Sequence, residues 1–403
     1  MRLVLVNYCH PATPHVCGRR VPQFAEVLAA AGHQVVLVTR DLEGEAVAPP
    51  PEGLAEALAA HDWSRPLLLA VPPRPSTLCR RVQEGNLPPI WRKPAIALLY
   101  LIRGGLFADW RQACDAYARP LARHFRPELA WGTFGNTDTL LVARRLARAA
   151  GAPWVMDTKD YWGMFIPAPL RRLLARRFAD AAHLTAFSVT HGAEAARWFS
   201  MAATVVYSGI PETFLPATSP PPERLTLTLS GSVYSRFLLA RLLATLAAWG
   251  RGRPERPRLI YAGGDHAAFG HAVAEAGLGP DWEVEIHPYL ALEDLRRLTV
   301  AASANLYLKS ERTFHHKVIE LLSAGRPVVS FPAEGEEAPL LAYAMGGALL
   351  SCADEGDLTA ALDRLAAGEP FAAATAEGMR PFTWAAQAET LARLFQAVAG
   401  RRR

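Results

Sequence analysis

Lys317 and Glu320 stand three residues apart in the segment KSERTFHHKVIELLSAGRPVVSF, Lys309 to Phe331. On a helix that spacing puts both side chains on one face, with His316 beside them. Thr313 suits an N-cap, and Gly325 with Pro327 suits a sharp stop. The sequence therefore predicts a helix of about three turns, from near Phe314 to Ala324, that buries Val318, Ile319, Leu321 and Leu322. A helix N-terminus offers free N–H groups and a partial positive charge, which suit a phosphate or diphosphate when Lys317 stands nearby. Glu320, one turn deeper, can accept two hydrogen bonds from a vicinal diol such as a ribose. The bland alternative is a surface Lys–Glu pair worth a few tenths of a kcal/mol.

Other residues invite the same weighing. Asp157, Lys159 and Asp160 follow an apolar run, where an α/β sheet places ligand contacts at strand ends. A substrate role suits Asp160 more than Asp157; the alternative is loop ordering. Gly263-Gly264 reads as a tight strand-to-helix turn or as backbone lying against a base or ribose. Only four of the 43 basic residues are lysine: Lys93, Lys159, Lys309 and Lys317. Lysine kept in so arginine-rich a chain suggests a point charge that a guanidinium fork does not replace. Cys9, His10, His15 and Cys17 raise the question of zinc, but their spacing fits no usual finger and loop residues are the plainer reading.

These residues need a scaffold. Arg2–Tyr8 reads as a buried strand, Val21–Ala31 as a helix ended by Gly32, and Gln34–Thr39 as the next strand. That is the opening unit of a doubly wound sheet. Strand signals recur at Leu67–Val71, Leu129–Thr133, Pro153–Asp157, Leu184–Val189 and Thr204–Tyr207, with a helix at Thr137–Ala150. The stretch Gly209–Arg224 carries five prolines in sixteen residues and reads as a linker. The alternation then restarts with Leu225–Ser230, Phe237–Trp249, Arg258–Ala262, Val284–His287, Leu292–Ala302, Ala304–Leu308 and Pro327–Phe331. Helices at Ala338–Met345, Glu355–Ala367 and Thr383–Val398 close the chain. The expected organisation is an α/β domain over 1–208, a linker over 209–224, a second α/β domain over 225–380, and a C-terminal helix within 381–403 packing back toward the first domain. Two parallel sheets so joined would face a cleft lined by the carboxyl ends of their strands.

Composition sets outer limits. With 403 residues, 51% hydrophobic and 20% charged, the chain can bury large cores. A formal net charge of +5 over this length does not argue for nucleic acid. The longest apolar run, Ala95–Ile102, is far short of the roughly 20 residues that span a bilayer. Five cysteines without a CxxC pair, and an N-terminus without a cleavage signal, lead us to expect a reduced, cytoplasmic setting. Ile90–Phe107, IWRKPAIALLYLIRGGLF, has basic and aromatic residues around an apolar run. It reads either as a buried helix or as a contact with the inner membrane face, to which Arg401–Arg403 would add charge.

The motifs, taken in order, resemble glycosyltransferase family 4, which has the GT-B fold. Lys317, Glu320, Leu321, Ser323, Gly325, Arg326, Pro327 and Val328 fit the donor-site signature of its Lys-x-x-Glu bacterial lineage, with Leu321 for a usual Tyr. VNYCHPATPHVCGRR is similar to the first strand and glycine loop, with the single Gly18 where two glycines are common. PWVMDTKDYW resembles a first-domain segment in which Lys159 replaces Arg, near where relatives often carry a sugar-contacting His. YSGIPETF resembles the end of the first domain. SGSVYSR, Ser230 to Arg236, resembles the second domain's first loop, which holds a phosphate-binding basic residue. The family's pair of glutamates eight apart is incomplete, because Arg312 stands at the first position.

The resemblance implies a retaining, hexosyl-type glycosyltransferase acting on a nucleoside-diphosphate sugar and an acceptor, lipid-linked among the candidates, in envelope polysaccharide or glycolipid synthesis. It implies donor binding by Gly18, Ser230, Gly231, Arg236, Gly263, Gly264, His316, Lys317 and Glu320, and catalysis by Lys159, Asp160, Arg236 and Lys317. Arg236 would clamp the diphosphate with Lys317 in place of a metal ion; the alternative is an exposed arginine opening a helix. No cofactor is expected, and no Asp-x-Asp sequence is present to hold a divalent cation. Two other readings use the same nucleotide recognition: a sugar-nucleotide epimerase, and a catalytically silent binding partner prompted by Arg312. A nicotinamide dehydrogenase is disfavoured because no GxGxxG follows the first strand.

Overall fold

The computed structural model describes residues 1–13, 16–215, 220, 222–309 and 314–401. His15, Arg312, Thr313, Arg402 and Arg403, all singled out above, lie outside the described residues. The chain divides into two units, Met1–Ser208 with Trp384–Arg403, and Gly209–Thr383.

In the first unit, β1 (Arg2–Val6), β2 (Gln34–Arg40), β3 (Leu67–Val71), β4 (Leu129–Phe134), β5 (Trp154–Thr158), β6 (His183–Ala186) and β7 (Ala203–Val205) form one parallel sheet in the order β3-β2-β1-β4-β5-β6-β7. Near-continuous apolar runs such as RLVLV suit a sheet covered on both faces. Leu3 and Leu5 enter one core with Phe24, Trp131, Leu391 and Phe395. Val4 and Val6, on the opposite face, enter another with Trp110, Phe134 and Phe178. The helices Arg20–Ala30 and Trp384–Gly400 cover the first face, with Phe24 edge-on to Trp384 at 5.2 Å between ring centroids.

The second unit repeats the plan. β8 (Thr226–Ser230), β9 (Arg258–Ala262), β10 (Glu283–His287), β11 (Ala304–Leu308), β12 (Val328–Phe331) and β13 (Leu349–Ser351) pair in parallel in the order β10-β9-β8-β11-β12-β13. Both sheets are Rossmann-like. In each, the strand order reverses once, between β1 and β4 and between β8 and β11, and such switch points leave a crevice at the strands' carboxyl ends.

Two local expectations are corrected. The helix carrying Lys317 runs only from Lys317 to Leu322, with His316 at its N-cap and no side-chain cap bond. Its last turn closes on Gly325, whose φ of +68° suits glycine. The Ile90–Phe107 segment is not a buried helix. It forms the helix Pro89–Leu98 and a π-helical turn, Leu99–Arg103, ended by Gly104 at φ +82°. Leu99 and Tyr100 turn inward, whereas Ile90, Trp91, Leu98, Leu101 and Ile102 are exposed.

Candidate functional site

At the switch point of the second unit, the loop leaving β8 is held from three sides. The Gly231 N–H donates to Ala262 O (2.9 Å), the Tyr261 hydroxyl donates to Gly231 O (2.7 Å), and the Val233 N–H donates to Asp265 (2.8 Å). Gly231 has φ +97°, a left-handed conformation that a side chain would strain. Ser235 then caps the helix Arg236–Gly250 by accepting from the Leu238 N–H at 3.2 Å. Arg236 is thus the first helical residue, and it is exposed. The Ser230 hydroxyl is shielded from solvent and has no hydrogen-bond partner among the described residues. An unsatisfied buried hydroxyl at a strand's carboxyl end suits a polar ligand.

The residues ahead of the Lys317 helix come to the same place. The His315 ring lies 5.3 Å from the Tyr234 ring, so SGSVYSR and HHKVIE are neighbours in space. Burial holds the His315 imidazole below its ordinary range, which leaves it neutral at pH 7. Lys317 Nζ lies 3.7 Å from one Glu320 carboxylate oxygen, and His316 Nε2 lies 3.8 Å from the other. Both Lys317 and Glu320 keep part of their side chains exposed, so the pair can still meet a ligand. Lys309, after β11, donates to Ala333 O (2.9 Å) and faces the Glu334 carboxylate at 3.9 Å. Burial raises the Glu334 carboxyl.

One participant was not legible in sequence. Arg296, on the helix Leu292–Ala301, lines a small pocket of about 20 Å³ with Phe214, Leu292, Leu295, Thr299, Leu321 and the Lys317–Glu320 pair. Its guanidinium donates to Ser323 Oγ (3.0 Å) and Phe214 O (2.7 Å), and burial pushes its pKa down to about 10, still charged at neutral pH. Among the described residues no ion pair to Arg296 is found. Neutral oxygens therefore hold a partly desolvated cation beside Lys317.

Gly263 is explained by packing. A Cβ there would overlap Gly231 O and the Tyr261 hydroxyl, so the glycine lets two strand-end loops meet. Gly264 is exposed, with open space where a Cβ would stand.

In the first unit the strand ends after β1, β4 and β5 form a second cluster. A Cβ on Gly135 would stand 3.2 Å from Lys159 Cε and 3.7 Å from an Asp160 oxygen. Cys9 feels both of those charges, and its thiol is hydrogen-bonded to Cys17, the largest cause of its raised pKa. Asn7 ties the loop by donating to the carbonyls of Cys9 (2.9 Å) and Cys17 (3.0 Å). A Cβ on Gly18 would stand 2.8 Å from His10 O, so this glycine too is required by close packing. His10 is buried. Its Nδ1 accepts the Ala12 N–H (3.2 Å), which leaves the proton of the neutral ring on Nε2, and Nε2 has no partner among the described residues. Among the described residues no three His, Cys, Asp or Glu side chains gather to hold a metal ion.

Asp157 is corrected to a core residue. It is fully buried and ion-paired to Arg20 (3.1 Å), and it accepts from Thr133 Oγ1 (2.6 Å) and Thr185 Oγ1 (2.8 Å). Arg20 is satisfied further by Ser208 Oγ (3.2 Å) and Val206 O (2.7 Å). Every strong acceptor site on Asp157 faces protein.

Two Rossmann-like units, each with polar residues gathered at its switch point, define the class as the GT-B architecture. Sucrose-phosphate synthase from Thermosynechococcus elongatus superposes with a TM-score of 0.68 at 18% identity, over 99% of each chain. Anabaena HepE in complex with UDP gives 0.63 at 12% identity, over 98% of this chain and 100% of that one. A Listeria monocytogenes protein assigned as a UDP-N-acetylglucosamine 2-epimerase gives 0.58 at 11%, over 98% and 95%. No protein-family model and no curated protein matches the sequence.

Proposed function

We propose that the protein is a glycosyltransferase moving a sugar from a nucleoside-diphosphate donor to an acceptor hydroxyl. The observation that carries this reading is the meeting of Ser230–Arg236 with His315–Glu320 at one switch point. In it, Glu320 grips the ribose diol, and Lys317 and Arg236 take the diphosphate. Fold likeness to HepE, which was crystallised with UDP, supports uridine diphosphate as the first nucleotide to test. Negative charge on the diphosphate grows as the bond to the sugar's anomeric carbon breaks, and fixed cations there stabilise the transition state more than the ground state. The acceptor oxygen attacks from the same face, with retention, and its proton passes to the departing phosphate oxygen. Lys159 and Asp160 belong to the acceptor side, with envelope polysaccharide or glycolipid as the product class. Because basic side chains supply the electrostatic work, transfer is proposed to be metal-independent.

A second reading, epimerisation of a sugar nucleotide, is favoured only by the likeness to the Listeria protein. One experiment separates the two. The protein is incubated with a panel of nucleotide sugars, with and without a membrane extract as acceptor, and free nucleotide is followed with and without EDTA. Acceptor-dependent release that survives EDTA supports the proposal. An epimeric sugar nucleotide formed without acceptor supports the second reading. Release abolished by EDTA and restored by Mn²⁺ contradicts metal independence.

A further inference from the structure

Ile90, Pro94, Leu98 and Ile102 recur at steps of four, a single row along one helical face, and all four are exposed. Trp91 and Leu101 flank that row and are exposed too, Trp91 at 62%. Leu99 and Tyr100 point the other way into the protein. The row is therefore the outer face of an anchored helix.

Its surroundings are basic. From Arg74 to Arg103 the chain has six basic residues and a single acid, Glu84, an excess equal to the +5 of the whole chain. Glu84 is occupied by Arg80 at 2.7 Å. Arg92 and Lys93, in the first turns of the same helix, are exposed. The fold adds a second basic segment seventy residues later. Arg177 donates to Leu101 O (3.2 Å) and so ties the π-helical turn to the helix Arg171–Arg176, where Arg172, Leu173 and Arg176 are exposed. Arg171–Arg177 has four arginines and no acid.

We propose that this face docks the protein on an anionic lipid surface, with the helix lying in the interface plane. An apolar row with Trp91 at one end enters the acyl boundary, while long basic side chains reach the headgroups. Twelve steps of about 1.5 Å, from Ile90 to Ile102, give a row of about 18 Å, long enough to lie in an interface and too short to cross it. Among the described residues no helix is long and apolar enough to cross a membrane. The docking face is independent of the proposed transfer reaction and can be tested without it.

Full-length protein is sedimented with vesicles of phosphatidylcholine containing phosphatidylglycerol, and with phosphatidylcholine alone. The expected result is at least tenfold stronger partition to the anionic vesicles, weakened in high salt. The variant Ile90→Ser/Leu98→Ser/Ile102→Ser should lose at least tenfold while keeping its circular dichroism and melting temperature. Arg92→Glu/Lys93→Glu should lose a comparable amount. Wild-type protein that ignores anionic vesicles would overturn the proposal, as would binding that survives both variants. Unfolding of the serine variant would overturn it by showing that the row is core. Self-association removed by the serine variant, without vesicle binding, would assign the face to a second copy instead.

Discussion

Asp157 and Asp160 stand three residues apart at the end of β5 and do different work. Asp157 is enclosed with Arg20, and removing one partner of a buried pair leaves the other charge stranded. Asp157→Ala should therefore cost about 3–5 kcal/mol of stability, read as a lower urea midpoint. Asp160→Asn should change stability by under about 1 kcal/mol, because its side chain sits in the strand-end cluster rather than the core. If Asp160 serves the acceptor, that variant should nonetheless lower turnover. Equal stability losses for the two would mean that Asp160 is also a framework residue. The sequence favoured Asp160 over Asp157 for a substrate role, but its alternative for Asp157 was loop ordering, not a buried ion pair. The missing information was Arg20, 137 residues away in the chain.

At the scale of elements, two glycines show how the strand-end loops are fixed. Gly263→Ala forces a methyl group into Gly231 O and the Tyr261 hydroxyl, and neither can retreat without breaking the bond between them. The expected cost is about 1–3 kcal/mol, measured by denaturant unfolding, with nucleotide affinity falling as the Ser230–Arg236 loop shifts. Gly264→Ala meets open space and should be nearly neutral. Both sheets were legible in the sequence, because buried parallel strands are apolar runs separated by helical patterns. The short β13, LLS, was not, since three half-exposed residues carry little pattern. The Lys317–Glu320 pairing was legible from its spacing of three. The length of its helix was not, because capping signals do not report where the backbone leaves helical geometry. Arg296 was invisible for a different reason. On an amphipathic helix it reads as one more surface arginine, and only the packing of Phe214 over it reveals the pocket.

At the scale of the whole molecule, the C-terminal helix is part of the first unit's core. Trp384, Leu391, Phe395 and Val398 are buried with Phe24 and Trp131. Stopping the chain after Thr383 would bare that apolar face, so the truncated protein should melt at lower temperature and aggregate. A truncated chain of unchanged melting temperature would contradict this role. Binding of a nucleoside diphosphate at the Lys317 helix is tested by calorimetry of wild type, Glu320→Gln and Lys317→Ala with uridine and guanosine and their diphosphates. Glu320→Gln should weaken both nucleoside and diphosphate at least tenfold, about 1.4 kcal/mol, by removing the proposed charge-assisted bonds to the ribose. Lys317→Ala should weaken the diphosphate far more than the nucleoside, because its proposed partner is phosphate. Folded variants that bind both ligands as tightly as wild type would move the donor site to another part of the chain.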